Sequence, residues 1–236
     1  DPQKGEPLHL LPRGVRSDFE AELGVKIEGD LSPIARHVLM EEYDGKYEDF
    51  KVIESSFSQR ARRGIAVVPP MDANTQDVSV LIGTEDISKL DMYPEDDPRV
   101  LSLNGAFNVG NRGIVEFVEI FKNEIEFLHT ILTATQEKRV PSPGKNAMIY
   151  FDGVIISHCN EAEWNRFKSE HTNEAILDRI LKVEIPYILE LDQEMKIYEK
   201  VIGRSDFNDI HIAPHTIKIA SMFSVMSRLK DSAKCD

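Results

Sequence analysis

Ile114-Val115-Glu116-Phe117-Val118-Glu119 is the most informative short run in the sequence for the fold. Its β-branched and aromatic residues predict a strand, and the run from about Glu124 to Thr135 that follows it is compatible with a helix. A second apolar run, Val154-Ile155-Ile156-Ser157, comes after the Asp152-Gly153 turn and predicts a strand that is buried on both faces. Such strands, separated by helical segments, indicate an α/β fold with a parallel sheet covered by helices.

Two helices are predicted ahead of this region. Ser17-Asp18-Phe19-Glu20 has the form of a capping box, in which the first and last side chains each bond the other residue's backbone N–H. This pattern predicts a short helix that starts there and ends at Gly24. Ser32-Pro33 places an N-cap before a proline at the first helical position, and so predicts a second helix that runs to the Asp44-Gly45 turn.

The pattern changes along the chain and predicts two parts. Between about residues 52 and 112, loops rich in proline and aspartate alternate with short β-prone pieces, which indicates insertions rather than a repeat. After Pro186 the apolar residues recur at helical spacing on two successive segments. We therefore expect an α/β core with insertions over residues 1–186 and a small helical lid over residues 187–236.

Composition argues against several classes of function. The chain has 28 basic and 41 acidic residues, and its net charge of -13 repels the phosphate backbone of nucleic acids. Its apolar stretches are far shorter than the roughly 20 residues that a membrane helix requires, and its two cysteines fit neither a disulfide framework nor a zinc spacing. We therefore expect a cytoplasmic protein that binds neither nucleic acid nor a membrane.

The sequence offers few complete motifs for chemistry. One dense basic cluster, Arg60, Arg62 and Arg63, precedes the apolar run that starts at Ile65. A solvated loop is the usual explanation of such a cluster, and a role in ligand binding is the alternative. The sequence contains no G-x-x-x-x-G-K-[ST] loop, no G-x-G-x-x-G, no H-E-x-x-H and no G-x-S-x-G. The residues alone therefore show no complete active site.

A series of segments instead occurs in an order that resembles the second half of an AAA+ ATPase. After Gly105 to Asn108, Gly113 to Ile120 resembles a Walker B strand. His129 to Glu137 resembles the helix that ends in T-Q-E in enhancer-binding and MoxR-like ATPases, and Ile155 to Asn160 resembles a sensor 1 strand. Asn173 to Arg179 resembles the segment that carries an arginine finger. The resemblance implies an AAA+ P-loop NTPase-like parallel sheet covered by helices and followed by a small helical lid.

A finer resemblance, to the PrkA family of serine protein kinases, rests on stretches that span almost the whole chain. They are Glu6 to Pro12, Gly29 to Pro33, Asn111 to Gly113 with Glu116-Phe117, His158 to Trp164, Ile197 to Lys200, and His211 to Thr216. The resemblance implies an ATP-dependent serine/threonine protein kinase or AAA+ ATPase that uses ATP and Mg²⁺ in bacterial stress or sporulation signalling. It also implies a longer protein, in which a phosphate-binding loop precedes this chain and a kinase-like region follows it, so that this chain alone is inactive.

The resemblance assigns roles around the Walker B strand. Glu119 matches the carboxylate that positions the attacking water, so we expect it to be catalytic. Val118 stands where AAA+ proteins usually carry the aspartate that holds Mg²⁺. Strand alternation places Glu116 on the same face as Val118, one pleat back. Glu116 is therefore the candidate metal residue, and simple exposure to solvent is the alternative.

Three further residues are candidates by their place in the series. Asn160 matches sensor 1 and is expected to bond the attacking water and the γ-phosphate, with loop capping as the alternative. Arg179 is expected to reach the γ-phosphate of a neighbouring subunit, with an ion pair to Asp178 or Glu174 as the alternative. Arg228 is the candidate sensor 2 residue that contacts the nucleotide, and a solvated charge at a helix end explains it equally well.

These assignments lead to three hypotheses. The first is a Mg-ATP-dependent enzyme that acts on a protein substrate and forms a homo-oligomeric ring with subunit-bridging sites. The second is a regulatory or assembly module with weak ATP turnover, which is consistent with Val118 in place of aspartate. The third is an ATP-powered unfoldase or protease-like machine, in which the segment from Thr133 to Pro143 serves as a pore-facing substrate loop.

Overall fold

The structure, a computed structural model, describes residues 7–70, 77–95, 97–123, 125–145, 147–205 and 210–229. The chain divides into two compact units, Asp1–Ile180 and Leu181–Asp236. The sequence pattern placed this division slightly later, after residue 186. Across the part of the chain that the structure describes, no helix is long and apolar enough to span a bilayer.

The first unit contains both helices and strands. In chain order they are α1 (Arg13–Leu23), α2 (Pro33–Tyr43), β1 (Ile65–Val68), α3 (Ser79–Ile82), β2 (Thr84–Glu85), β3 (Leu101–Ser102), α4 (Ala106–Val109), β4 (Ile114–Val118), α5 (Ile125–Gln136), β5 (Arg139–Pro141), β6 (Met148–Tyr150), β7 (Val154–His158), α6 (Glu161–Ser169) and α7 (Glu174–Leu177). The second unit contains α8 (Leu191–Ile202) and α9 (Thr216–Arg228).

The centre of the first unit is a parallel sheet with the strand order β1-β4-β7. In its register Phe117 of β4 lies opposite Val68 of β1 and Ser157 of β7. The pairs β2-β3 and β5-β6 are antiparallel and form separate two-stranded sheets. The α/β fold with a parallel, helix-covered sheet that the sequence predicts is therefore confirmed.

One face of β4 forms the core. Val115 and Phe117 are fully buried, as the alternation of the strand requires. The Phe117 ring lies 6.2 Å from that of Phe107 on α4 and 6.3 Å from that of Phe127 on α5, measured between ring centroids. The aromatic rings therefore fix two helices against the central strand.

The opposite face of the sheet is open. Glu116 and Val118 on this face of β4 are half-buried, while Val154 and Ile156 of β7 are 58% and 49% exposed. The prediction that the Val154–Ser157 strand is buried on both faces was wrong. The physical reason is that β7 is at the edge of the described sheet, where a continuous apolar run does not by itself supply a covering layer.

The first helix begins earlier than its capping-box pattern indicates. α1 starts after Pro12, which places Ser17 inside the helix and not at its N-cap. Arg16 is buried in this early turn, and its Nη1 donates to the backbone carbonyl of Gly29 at 2.8 Å. A contact with a distant loop therefore sets the start of α1. Its end is as predicted, because Gly24 adopts the left-handed conformation with φ of 67°.

Gly113 lies where β4 approaches the residue that precedes β1. A Cβ at this position would lie 1.8 Å from the carbonyl oxygen of Gly64, and that oxygen also accepts from the backbone N–H of Ile114 at 2.8 Å. We expect Gly113→Ala to force the two strands apart and to lower the free energy of unfolding by about 2 kcal/mol or more.

Gly14→Ala is the matched control for this substitution. Gly14 is exposed on α1, and an added Cβ would have no neighbour within 4 Å. Because alanine is the better helix former, the control should leave stability unchanged or raise it by up to about 1 kcal/mol. Denaturant titration of both variants measures the difference, and equal midpoints would contradict the steric explanation.

Candidate active site

Two of the predicted catalytic residues lie at the same edge of the sheet. β4 and β7 are parallel neighbours, so their carboxyl ends meet at one edge, where α/β proteins bind ligands. Glu119 is the first residue after β4, and Asn160 follows β7 after a single intervening residue. The fold therefore brings together two residues that are far apart in the sequence.

Glu119 is held in an unusual conformation. Its φ of 51° and ψ of 53° lie in the left-handed region, which residues other than glycine rarely adopt and which is enriched at functional sites. Its carboxylate Oε2 accepts from Lys122 Nζ at 2.5 Å. This hydrogen bond raises the pKa of Lys122, which therefore stays an ammonium cation beside Glu119.

Lys122 also connects Glu119 to the start of α6. Its Nζ lies 3.7 Å from Oε1 of Glu163, and the backbone N–H of Glu163 donates to Oδ1 of Asn160 at 2.8 Å. Asn160 is the N-cap of α6, so the capping alternative is observed. Capping uses the oxygen of the amide only, and Asn160 Nδ2 has no partner among the residues that the structure describes. We call the contacts that run from Glu119 through Lys122 and Glu163 to Asn160 the carboxyl-edge link.

A cavity of about 490 Å³ opens beside the carboxyl-edge link. Its walls include Lys122, Glu163 and Phe167, and the Phe167 ring stacks on that of Phe121 at 4.2 Å. Oε2 of Glu163 is buried there without a hydrogen-bond partner in the described structure. A buried carboxylate oxygen without a donor is a site that a cation or an ordered water satisfies.

Glu116, the candidate metal residue, lies on the open face of β4. The structure pairs Val118 with His158 in register, and His158 Nε2 is 3.9 Å from Oε1 of Glu116. The Glu116 side chain is 42% exposed, so the geometry is compatible with both the metal role and simple exposure. Within the described ranges, no group of three or more His, Cys, Asp and Glu side chains has the arrangement of a metal site.

Arg179, the candidate arginine finger, lies in the turn after α7 and is exposed. Its guanidinium donates to the carbonyl oxygen of Ala175 and, at 3.0 Å, to Oε1 of Gln136 at the end of α5. No ion pair joins it to Asp178 or Glu174 in the part of the chain that the structure describes. Among the described residues of its unit, the positive charge therefore has no carboxylate partner.

Arg228, the candidate sensor 2 residue, is not a free charge at a helix end. Its two terminal nitrogens bind the carboxylate of Glu194 at 2.8 Å and 3.0 Å, and one of them also donates to the carbonyl of Ile188 at 3.2 Å. Glu194 is 3% exposed. The hydrogen bond to Glu194 raises the pKa of Arg228. The solvated-charge alternative was therefore wrong, because Arg228 neutralises a buried carboxylate within the second unit.

We expect Arg228→Ala to loosen the packing of α8 against α9. Without the guanidinium, the buried Glu194 carboxylate loses its compensating charge, and this is more unfavourable than removing both groups. Amide exchange in α8 should become about tenfold faster or more. In the double variant Arg228→Ala/Glu194→Gln, the amides of α8 should exchange more slowly than in Arg228→Ala. Lys218 is exposed on α9, so in the control variant Lys218→Ala these amides should exchange at the parent rate. A double variant as labile as Arg228→Ala would contradict this account.

Comparison with known families shows to which family the chain belongs. All of residues 1–236 match the family described as PrkA AAA domain. The chain belongs to this family. The match confirms the PrkA resemblance and, with the observed parallel sheet, the AAA+ fold that the resemblance implies.

Relatives support this membership over long stretches. The chain is 43% identical over its full length to the ATP-dependent protease PrkA of Bacillus subtilis, strain 168, and covers 37% of that protein. It is 41% identical over 192 residues, 81% of the chain, to the serine/threonine kinase YeaG of Escherichia coli K12, and covers 30% of it. The chain therefore spans about a third of the length of the curated relatives that it matches.

Solved structures also resemble the chain. NtrX from Brucella abortus aligns with 69% of this chain and 36% of its own, at a TM-score of 0.49 and 16% identity. NtrX in complex with ATP aligns over 69% of this chain and 35% of its own, at a TM-score of 0.47 and 16% identity.

In this PrkA AAA domain, sequence reasoning missed Lys122 and Glu163. Both had a usable local signal. Lys122 follows Glu119 by three residues, the spacing at which side chains meet on a helical turn. Asn160 and Glu163 have the spacing of an N-cap and the third helical residue. The 3.7 Å contact that joins Lys122 to Glu163 is visible only in the structure.

Proposed function

We propose that this chain supplies the water-positioning and trans-acting side of an ATP site in a PrkA-type enzyme that hydrolyses Mg-ATP and transfers phosphoryl groups to serine or threonine. The observation that carries the proposal is the carboxyl-edge link from Glu119 to Asn160. It fixes an acceptor and an amide donor at the edge of the sheet where nucleotide phosphates bind in α/β proteins. The phosphate-binding loop is proposed to come from a part of the protein outside this chain.

Glu119 accepts a hydrogen bond from the attacking water and orients it toward the γ-phosphate. Lys122 holds the Glu119 carboxylate at 2.5 Å, so the acceptor is oriented before substrate arrives. Asn160 has its oxygen committed to the helix cap, which leaves its Nδ2 donors for the proposed hydrogen bonds to the water and the γ-phosphate. These groups supply positioning and electrostatic stabilisation, which dominate phosphoryl-transfer catalysis.

Glu116 has the oxygen-ligand chemistry that Mg²⁺ prefers. The ion takes one or two carboxylates and completes an octahedron with waters and phosphate oxygens. Glu116 is proposed as the protein residue that would hold it, and the buried, unpartnered Oε2 of Glu163 would accept from a water in the neighbouring cavity. When bound, Mg²⁺ neutralises charge on the phosphates. Oε1 of Glu116 lies 3.9 Å from Nε2 of His158.

Arg179 is proposed to act across a subunit boundary in a homo-oligomeric ring. Its guanidinium is exposed, and its observed partners are a backbone carbonyl and the neutral amide of Gln136. Exchange of these neutral partners for a phosphate of the neighbouring subunit replaces hydrogen bonds to neutral oxygens with stronger hydrogen bonds to an anion. The nucleotide contact of Arg228 stays a prediction, since its guanidinium is bound to Glu194 here.

A second candidate function is ATP-driven unfolding coupled to proteolysis. The observation that favours it is the name of the relative that matches over the whole chain, an ATP-dependent protease. The segment from Thr133 to Pro143 would then contact substrate in the pore. A weakly hydrolysing regulatory module is the third possibility, consistent with Val118 in place of aspartate. The role in stress or sporulation signalling rests on the family resemblance.

One assay on the full-length protein separates these possibilities. Labelled ATP is supplied with an unfolded protein substrate, and phosphate release, label on serine or threonine, and substrate fragments are measured together. The proposed function predicts phosphate release and protein labelling, both lost in Glu119→Gln. Fragments without labelling favour the protease candidate. Absence of turnover in both proteins would overturn the enzymatic proposal.

A further inference from the structure

A second groove lies at the edge of the parallel sheet opposite Glu119 and Asn160. It forms where residues 62–64 enter β1 and Val109 precedes β4, and its volume is about 400 Å³. The two edges are separated by the length of a strand, about 15 Å for four or five residues at roughly 3.3 Å each. We call this feature the amino-edge groove, and it is separate from the candidate active site.

The amino-edge groove is positively charged in an acidic chain. Arg62, Arg63 and Lys89 line it, and no Asp or Glu is among its lining residues in the described structure. Its remaining walls are largely apolar and include Leu101, Leu103 and Val109. The chain as a whole carries a net charge of -13, so a groove whose charged lining residues, as far as the structure describes them, are all cations is a local exception. Cations above apolar walls suit a small organic anion.

Arg63 provides the strongest evidence for a missing partner. Its Nε is buried without a hydrogen-bond partner, and its guanidinium forms no ion pair in the part of the chain that the structure describes. Leaving a buried charged donor unsatisfied is unfavourable, so such a group calls for an acceptor. The backbone of Arg63 is fixed, because its N–H and C=O both bond the backbone of Ser58, at 2.9 Å and 2.8 Å. The main chain of Arg63 is therefore positioned without a ligand, and its side chain keeps an unused donor.

Arg62 is the second arginine of the groove. Its Nη2 donates to the carbonyl oxygen of Asn104 on the groove wall at 2.9 Å, so its guanidinium lies at the groove. Lys89 pairs with Asp86 at 3.5 Å, at the surface, where such a pair contributes little and exchanges easily.

We propose that the amino-edge groove binds the phosphoryl group of a small phosphate monoester. The planar guanidinium of Arg63 matches two phosphate oxygens at once, and Arg62 adds charge from the adjacent position. The organic part of the ester packs against Leu101, Leu103 and Val109. A groove of about 400 Å³ has the size of a small-molecule site, which favours a metabolite over a protein segment.

The test measures binding of inorganic phosphate and of phenyl phosphate to the full-length protein by calorimetry, with a non-hydrolysable ATP analogue saturating the nucleotide site. Both probes should bind saturably at one site per chain, and phenyl phosphate should bind more tightly because its ring contacts the apolar wall. Arg63→Gln should weaken binding about tenfold or more. Arg139→Gln, an exposed arginine of the same unit outside the groove, should bind both probes as the parent does.

Arg63→Lys is the second variant, because it keeps the charge and loses the planar fork. Arg63→Lys should bind phosphate more weakly than the parent. It therefore tests the proposal also if Arg63→Gln does not fold. Non-saturable binding to the parent, or parent-like affinity in both Arg63 variants, would overturn the proposal. ATP hydrolysis by the Arg63 variants should equal that of the parent, so failure of the proposed ATPase function and failure of the phosphate site are distinguishable.

Discussion

Arg179→Ala is expected to lower the ATPase kcat of the full-length protein by about 10³-fold to 10⁵-fold, the range observed when an arginine finger is absent. The physical reason is that the guanidinium neutralises charge that develops on the γ-phosphate in the transition state. Because this interaction is made in the transition state, kcat should fall with little change in nucleotide affinity. Steady-state phosphate release and equilibrium binding of a nucleotide analogue measure the two quantities.

Two companions separate this role from a structural one. Gln136→Ala removes the side-chain partner of Arg179 in its own subunit, and should change kcat only a few-fold if Arg179 acts on the neighbouring site. Arg179→Lys keeps the charge but loses the planar fork, so it should recover a small part of the activity. A fall in Gln136→Ala as large as that in Arg179→Ala would show that the contact merely holds α5 and α7 together.

Glu119→Gln is expected to lower kcat by about 10²-fold to 10⁴-fold, the usual contribution of a positioned general base. The amide is nearly isosteric with the carboxylate but neutral, so it is a poor acceptor for the proton of the attacking water. It also loses the charged contact with Lys122 at 2.5 Å, which leaves both the water and the acceptor less well oriented. ATP binding should persist, as the variant removes no group proposed to contact the base or ribose.

Glu161→Gln is the matched control for this effect. Glu161 is an exposed carboxylate at the first position of α6, close in sequence to Asn160 but outside the carboxyl-edge link. Its variant should turn over ATP at nearly the parent rate. Parent-like turnover in Glu119→Gln, in a protein whose circular dichroism and unfolding midpoint are unchanged, would remove Glu119 from the catalytic role.

Short sequence patterns correctly predicted those elements that are determined by residues close to them in the chain. The alternation in Ile114–Val118 matches the observed burial, since a strand with one covered face requires period two. Ser32 accepts from the backbone N–H of Ala35 at 3.1 Å and α2 ends at Asp44 in the left-handed conformation, as the N-cap, proline and turn signals indicate. In these cases the residues that determine the structure lie within one turn of the feature they determine.

Distant contacts decided the features that the sequence did not reveal. The capping-box pattern at Ser17 was overridden because Arg16 binds a loop carbonyl 13 residues away. Glu194 and Arg228 lie 34 residues apart, so nothing in either helix alone predicts their ion pair. The exposed face of β7 likewise depends on what covers the strand, which an apolar run of residues does not encode.

The sequence predicted the candidate residues themselves, but not the side chains that connect them in the structure. Glu119, Asn160 and Arg179 follow from the order of motifs, and the fold places the first two at one edge of the sheet. Lys122 and Glu163, which join them, carry no motif that the resemblance recognises. The same holds for Arg63, where a basic run typical of a solvated loop contains a buried, unpartnered donor.

Mixing subunits tests the central claim that the site is shared between neighbours. Arg179→Ala and Glu119→Gln subunits, each nearly inactive, are combined in equal amounts and allowed to exchange. In a ring with head-to-tail interfaces, about a quarter of the boundaries then pair an intact Glu119 with an intact Arg179 from the next subunit. We expect recovery of roughly that fraction of the parent ATPase rate. Activity that stays at the average of the two separate variants would show that the site is not shared.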